Sequence, residues 1–185
     1  MTRVCLVGDD DVNLQYELLS RETARDALVT YDLHEPFANA IGVETVSLGA
    51  AVALLNDLDW YLVRFVETAM VLEPSVSDDE WLSRSLATAV RDDRIAGEET
   101  DRFLKIYGLE PVDAGGDTDA GDESADGQAA EETEDAPTDD DPDGPDHRLV
   151  EPMFVTRTGE TLPEYDLRDV AETLTVRVTE DEFGA

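Results

Sequence analysis

The sequence predicts a mixed α/β fold, with α+β as the alternative, on three observations. Strand-like and helix-like patterns alternate in the order β-α-β-α-β through residues 2–66, a capped helix signal follows, and two strand-like runs recur near the C-terminus. A sheet of roughly five or six strands with three or four helices satisfies this pattern, and a mostly parallel strand order fits as well as a mixed one.

Thr2 to Val7 is rich in Val and Leu and stops at Gly8, which suits a buried strand. Asp11 can then cap a helix over Val12–Val29, in which Val12, Tyr16, Leu19, Thr23 and Ala27 share one face. Tyr31 to Gly42, with Pro36 inside it, reads as a connection. Val43 to Leu48 suits a second strand and Gly49 to Leu58 a short helix. The apolar run Trp60 to Val66 reads as a third strand, and Ala69 to Leu72 as a fourth, closed by Glu73 and Pro74.

Ser77 followed three residues later by Glu80 has the form of a capping box, and Asp78 and Asp79 add negative charge where a helix dipole favours it. The helix so predicted buries Leu82, Leu86, Ala89 and Val90. A further short helix is expected from Glu98 to Tyr107, ended by Gly108. Pro152–Arg157 and Thr173–Thr179 read as strands, the second alternating Leu174, Val176 and Val178 with polar residues. Two strands alone bury too little to stand by themselves. They are expected to join the first sheet at an edge, so that residues 1–110 and 148–185 form one α/β domain.

Between them, Pro111 to His147 holds 15 acidic residues, no Lys or Arg, and Val112 as its sole large aliphatic residue. Such a composition cannot offset the entropy of ordering, and an extended, disordered insertion is expected. The chain as a whole carries 46 acids against 13 bases, a net charge of −33 over 185 residues, and Lys105 is its one lysine. Surfaces of this kind stay hydrated and soluble where salt screens their self-repulsion, which points to a salt-loving cell.

The same charge argues against nucleic-acid partners, whose phosphates need a basic patch. No run approaches the roughly 18 apolar residues of a membrane span, and Met1–Gly8 is too short for a signal peptide. A cytoplasmic protein without membrane contact is expected. Its lone cysteine, Cys5, and its distant histidines, His34 and His147, give neither a disulfide nor metal-ligand spacing.

Nucleotide-binding, hydrolase and zinc motifs are missing, so catalysis is not the leading expectation. The first strand ends in Asp9, Asp10 and Asp11, and ligands of parallel sheets gather at such ends. Asp9 and Asp10 are the candidate ligands for Mg²⁺, which favours hard oxygen donors. Arg64, inside an apolar run, is a candidate anion-binding residue, because an unpaired buried charge is costly. Arg157 and Arg177 raise the same question, and an anion site would bring the three together.

Residues Arg3 to Leu19 resemble the start of a response-regulator receiver domain, which implies Mg²⁺ at Asp9 and Asp10. The likeness stops there, since Glu67 rather than an aspartate follows Trp60–Val66. Val4-Cys5-Leu6-Val7-Gly8 and Tyr16 to Arg25, with Ala51 to Arg64 and Glu151-Pro152-Met153, resemble a small haloarchaeal family of unknown function. This resemblance implies a haloarchaeal origin and a shared fold, and it brings no activity, cofactor or site residue. A non-enzymatic regulatory or interaction module, meeting a protein partner or a second copy of itself, is the leading expectation. A small anion- or Mg²⁺-binding domain is the alternative.

Overall fold

A computed structural model describes residues 1–112 and 146–184. The chain is a mixed α/β fold with a seven-stranded sheet, ordered β2-β1-β3-β4-β7-β5-β6. β1 (Thr2–Gly8) leads into α1 (Leu14–Leu19) and α2 (Glu22–Leu28), then β2 (Ala40–Thr45), α3 (Leu48–Asp57), α4 (Asp59–Phe65) and β3 (Val66–Leu72). β4 (Trp81–Ser83) and α5 (Arg84–Arg91) follow, and β5 (Phe103–Pro111), β6 (His147–Thr156), β7 (Glu172–Arg177) and α6 (Glu180–Phe183) complete it. Among the described residues, no helix is long and apolar enough to cross a membrane.

Strands and helices alternate as the α/β reading expects, in the order β-α-α-β-α-α-β, but the strands do not run parallel. β1 pairs antiparallel with both β2 and β3, and the parallel pair is β4 with β7. Both C-terminal strands join the sheet, though β6 alone takes an edge. β7 inserts between β4 and β5, pairing with each. Much of the acidic run, residues 113–145, lies outside the described residues, including its expected disorder. Its two ends are strand residues, for Pro111 pairs with His147 across the β5–β6 ladder.

Four local expectations are corrected. Trp60–Val66 is not a strand but mostly α4, and its signal was helical: Leu58, Tyr61 and Leu62 are buried while Trp60, Val63 and Arg64 face out. The segment Val12–Val29 is two helices, broken at Ser20–Arg21, and its cap is Asn13, whose side chain accepts from Tyr16 N, rather than Asp11. Leu14, Leu18, Ala24 and Leu28 form the buried face, leaving Tyr16 68% exposed.

Glu98–Tyr107 becomes a 3-10 turn and then β5, a strand covered by neighbours on both edges. Finally, Ser77 Oγ does accept from Glu80 N (3.1 Å), but no helix propagates from it. Glu80 is drawn away by Arg157 and Arg177, residues 81–83 pair as β4, and the true cap is Ser83, which accepts from Leu86 N.

All of α1 to α5 pack on one face of the sheet, where Leu14, Leu18, Leu55, Leu62 and Leu86 meet Leu6, Ile41, Val43 and Val71. The other face buries itself. Cys5, Val7 and Met70 of β1 and β3 cluster with Tyr107, Leu174 and Val176 of β5 and β7. Thr68 Oγ1 and Tyr107 Oη, on strands separated by β4 and β7, lie 2.6 Å apart in a buried hydrogen bond. Ala38 N donates to His147 O (2.9 Å), tying the segment before β2 to the start of β6. The sheet is therefore coiled into an incomplete barrel.

Glu80, just before β4, ties that strand to the ends of β6 and β7. Its carboxylate accepts from Arg157 on one side and from Arg177 Nε (3.1 Å) on the other, with side-chain exposures of 13%, 14% and 11% in that order. Removing a carboxylate that two part-buried guanidinium groups share strands charge inside the fold. Glu80→Ala is expected to lower the free energy of unfolding by about 3 kcal/mol in chemical denaturation. A loss under about 0.5 kcal/mol, the size of an ordinary surface substitution, would show that Asp101, 3.7 Å from Arg157, takes over the role.

Candidate functional site

The first strand end is built by Asn39. This residue adopts φ +57°, and its side chain donates to Asp9 O (3.0 Å) and Val12 O (2.8 Å) and accepts from Leu14 N (2.9 Å). Gly8 sits so close to it that a Cβ there would lie 2.6 Å from Asn39 Nδ2. Asp9 N donates to Phe65 O (3.0 Å), which brings the loop beside the start of β3. Backbone and Asn39 thus fix the loop, which leaves Asp10 exposed and Asp9 half-buried.

Those two carboxylates lie near Glu67. Burial raises the Glu67 carboxyl above the usual glutamate range, the Asp10 charge adds to this, Lys105 opposes it, and Asp9 adds further. Among the described residues, no group of three or more His, Cys, Asp or Glu side chains is placed to hold a metal ion. Antiparallel placement of β1 also leaves the receiver-type likeness without a matching sheet.

Arg64 stands elsewhere. Its guanidinium lies 3.8 Å from the centroid of the Trp60 ring and donates to Trp60 O (3.0 Å), on the exposed side of α4. Arg157 and Arg177 do converge, but on Glu80, with Arg177 also donating to Thr100 Oγ1 (2.9 Å). The three arginines do not meet, and the two that do are answered by a carboxylate.

Among the concavities of the described residues, a larger and more polar one of about 850 Å³ lies between α5 and α6. The one with a mainly apolar lining is a cavity of about 380 Å³ at one mouth of the coiled sheet. Its apolar wall comes from Leu62, Val63 and Val66 of α4 and early β3, Phe154 of β6, and Val176 and Val178 around the end of β7. The size and the apolar lining with a few charged groups suit a small ligand. Ser83 and Glu182 close one side through a 2.6 Å hydrogen bond, and Glu182 also accepts from Thr179 N (2.8 Å). This docks α6, whose Phe183 packs 5.1 Å from the Phe103 ring and 6.2 Å from that of Phe154.

Lys105 and Glu67 border this cavity. The Lys105 ammonium stands 4.8 Å from the Tyr107 centroid and 5.6 Å from that of Phe154, a cation held against aromatic faces. Neither residue stood out as a binding residue in the sequence. Placing Lys105 in a helix hid its signal, which is strand alternation: Leu104 and Ile106 turn to one side, Lys105 and Tyr107 to the other.

Fold and cavity together describe a small α/β protein with an apolar pocket at the mouth of a coiled sheet. Residues 2–109 match the model of a family of unknown function, DUF5804, and the chain belongs to that family. No curated protein and no solved structure matches the chain. The matched stretch supplies Val63, Glu67 and Lys105, whereas Phe154, Val176, Val178 and Glu182 lie beyond it.

Cys5 occupies the coil interior away from this mouth, and burial pushes its thiol up to about 12 from an ordinary 9.0. The folded chain therefore keeps a proton between pH 9 and 12 that the unfolded chain releases, and stability contributed by the buried thiol falls as pH rises through that window. A thiol reagent at pH 8 is expected to leave the native protein unlabelled and to label one equivalent in denaturant. Rapid native labelling would show that the coil opens at Cys5.

Proposed function

We propose that the protein is a non-catalytic binding module of the cytoplasm whose recognition site is the cavity between α4, β5, β6 and the end of β7. The observation that carries the reading is that an apolar wall and two charged groups share one open concavity, while its other charged neighbours are already engaged. Arg84 is paired with Asp59 (2.7 Å) and Glu182 with Ser83 (2.6 Å). Such a lining supports uptake of a small molecule with an apolar body.

A second reading, a protein-interaction module, is favoured by the rim. Val63 is 74% exposed, Phe154 46% and the neighbouring Trp60 49%, so a partner could cover them together with the cavity. The acidic surface supports a setting of high salt, and the same reading places the protein away from nucleic acid and membranes.

The full chain, in molar KCl, is expected to bind one equivalent of the apolar fluorophore N-phenyl-1-naphthylamine. Val178→Phe, which fills the cavity, is expected to weaken this binding by at least ~10-fold, an ordinary penalty for a steric change in an apolar pocket. Val46→Phe, at a residue 82% exposed and away from the site, serves as the control. Equal binding by both variants would overturn the cavity as the site. Recovery of a stoichiometric protein partner that Val63→Asp loses would decide for the second reading.

A further inference from the structure

Four charged side chains border the cavity, and two of them are already committed. Arg84 belongs to Asp59, and Glu182 accepts from Ser83 Oγ, Thr179 N and Thr179 Oγ1. The other two, Lys105 and Glu67, carry opposite charges, and no ion pair joins them to each other or to any other described residue.

This is unexpected for Lys105 in so acidic a chain. Of the bases without an ion pair among the described residues, Arg25, Arg64 and Arg102 are exposed, whereas Lys105 is half-buried. Its contacts are the Tyr107 and Phe154 ring faces, and its charge is felt by Glu67. Between and beside these two charges lies an apolar wall of Leu62, Val63, Val66, Val176 and Val178.

Resting on the reading of the cavity as the binding site, we infer that its ligand is a free apolar α-amino acid. The carboxylate would lie on Lys105, the ammonium on Glu67 with Asp10 behind it, and the aliphatic or aromatic side chain against the valine wall. A zwitterion matches the site as a purely anionic or cationic ligand does not. An anion would leave Glu67 unanswered beside it, and a cation would meet Lys105. Dianions such as phosphate esters are disfavoured further by the nearby charges of Asp10 and Asp9, which add to burial in raising the Glu67 carboxyl. A cavity of about 380 Å³ has room for a side chain of leucine or phenylalanine size together with its backbone atoms.

The test is displacement of the naphthylamine probe from the full chain in molar KCl by four related compounds. They are L-leucine, isocaproate (leucine without its amine), isoamylamine (leucine without its carboxylate) and the neutral isocaproamide. Leucine is expected to displace the probe at a concentration at least ~10-fold below that of any of the others, because a site with paired polar groups rejects an analogue that leaves one unanswered. Lys105→Met is expected to abolish the preference for leucine over isoamylamine, and Glu67→Gln the preference over isocaproate.

If isocaproate matches leucine, the ammonium site at Glu67 is overturned; if isoamylamine matches it, the carboxylate site at Lys105 is. A bound probe that leucine cannot displace overturns the inference and leaves the cavity reading standing. Failure of the probe itself to bind removes the cavity reading and this inference with it. Near-wild-type unfolding midpoints for both variants will separate lost recognition from lost folding.

Discussion

The structure depends on an asymmetry in how the sheet is covered. Helices α1 to α5 all lie against one face, so the apolar residues of the other face have no helical layer to bury them. Leaving Cys5, Val7, Met70, Leu174 and Val176 wet would forfeit burial worth roughly 25 cal/mol per Å² of apolar surface. The sheet resolves this by coiling, an exaggeration of the twist that strands adopt in any case. The Thr68–Tyr107 hydrogen bond shows how far the coil goes, since it joins two strands that are not neighbours. The same closure protects the strand edges, which a flat sheet would leave open to other chains. Ala38 reaches His147 between the two ends, and His34 bridges Gly42 on the outer side of β2.

The cavity is a consequence of that coiling. A sheet that curls on itself fills its middle with side chains, here Met70, Tyr107 and Val176, but runs out of them at its mouth. There α4 on one side and α6 on the other form walls instead of a lid. α6 is only four residues long, and it keeps its place through Glu182 and Phe183 rather than through helix stability. The cavity is thus assembled from segments far apart in sequence. Its β6, β7 and α6 wall lies beyond the stretch that defines the family match, although β7 is paired inside the sheet that the matched strands begin.

Much of this was legible in the sequence at the level of element order. The Val- and Leu-rich run Thr2–Val7 and the alternation of Leu174–Val178 marked β1 and β7, and the weakness of a lone pair of strands showed that the C-terminal ones must join the sheet. Trp60–Val66 misled because a short apolar run fits a strand and a buried helix alike, and the three-and-four spacing of Leu58, Tyr61 and Leu62 was the deciding signal. Ser77 and Glu80 misled for a tertiary reason: the cap-like turn formed, but the glutamate's partners were Arg157 and Arg177, more than 70 residues away. Strand direction was illegible because it is set by which faces the helices cover. Asp9 and Asp10 stood out through their local pattern and lie close enough to Glu67 to act on its carboxyl, though neither lines the cavity, whereas Glu67 and Lys105 come to border one cavity only once the sheet coils.

The charge of the chain sharpens what a lone base signifies. Arg157 and Arg177 share Glu80, Arg148 and Arg168 share Glu110, and Arg84 takes Asp59. With 46 acids to 13 bases, a carboxylate is rarely far from any cation, and pairing one costs the fold little. A half-buried lysine that packs against aromatic rings instead is held there by the strand that carries it, since Leu104 and Ile106 are fully committed on the opposite face of β5. High salt would erase the long-range field of the acidic surface, with a screening length of about 3 Å at molar concentration, while leaving a contact pair inside the cavity largely intact. On the proposed reading of the cavity as a binding site, the local groups at the mouth, rather than the net charge of −33, would govern what it admits.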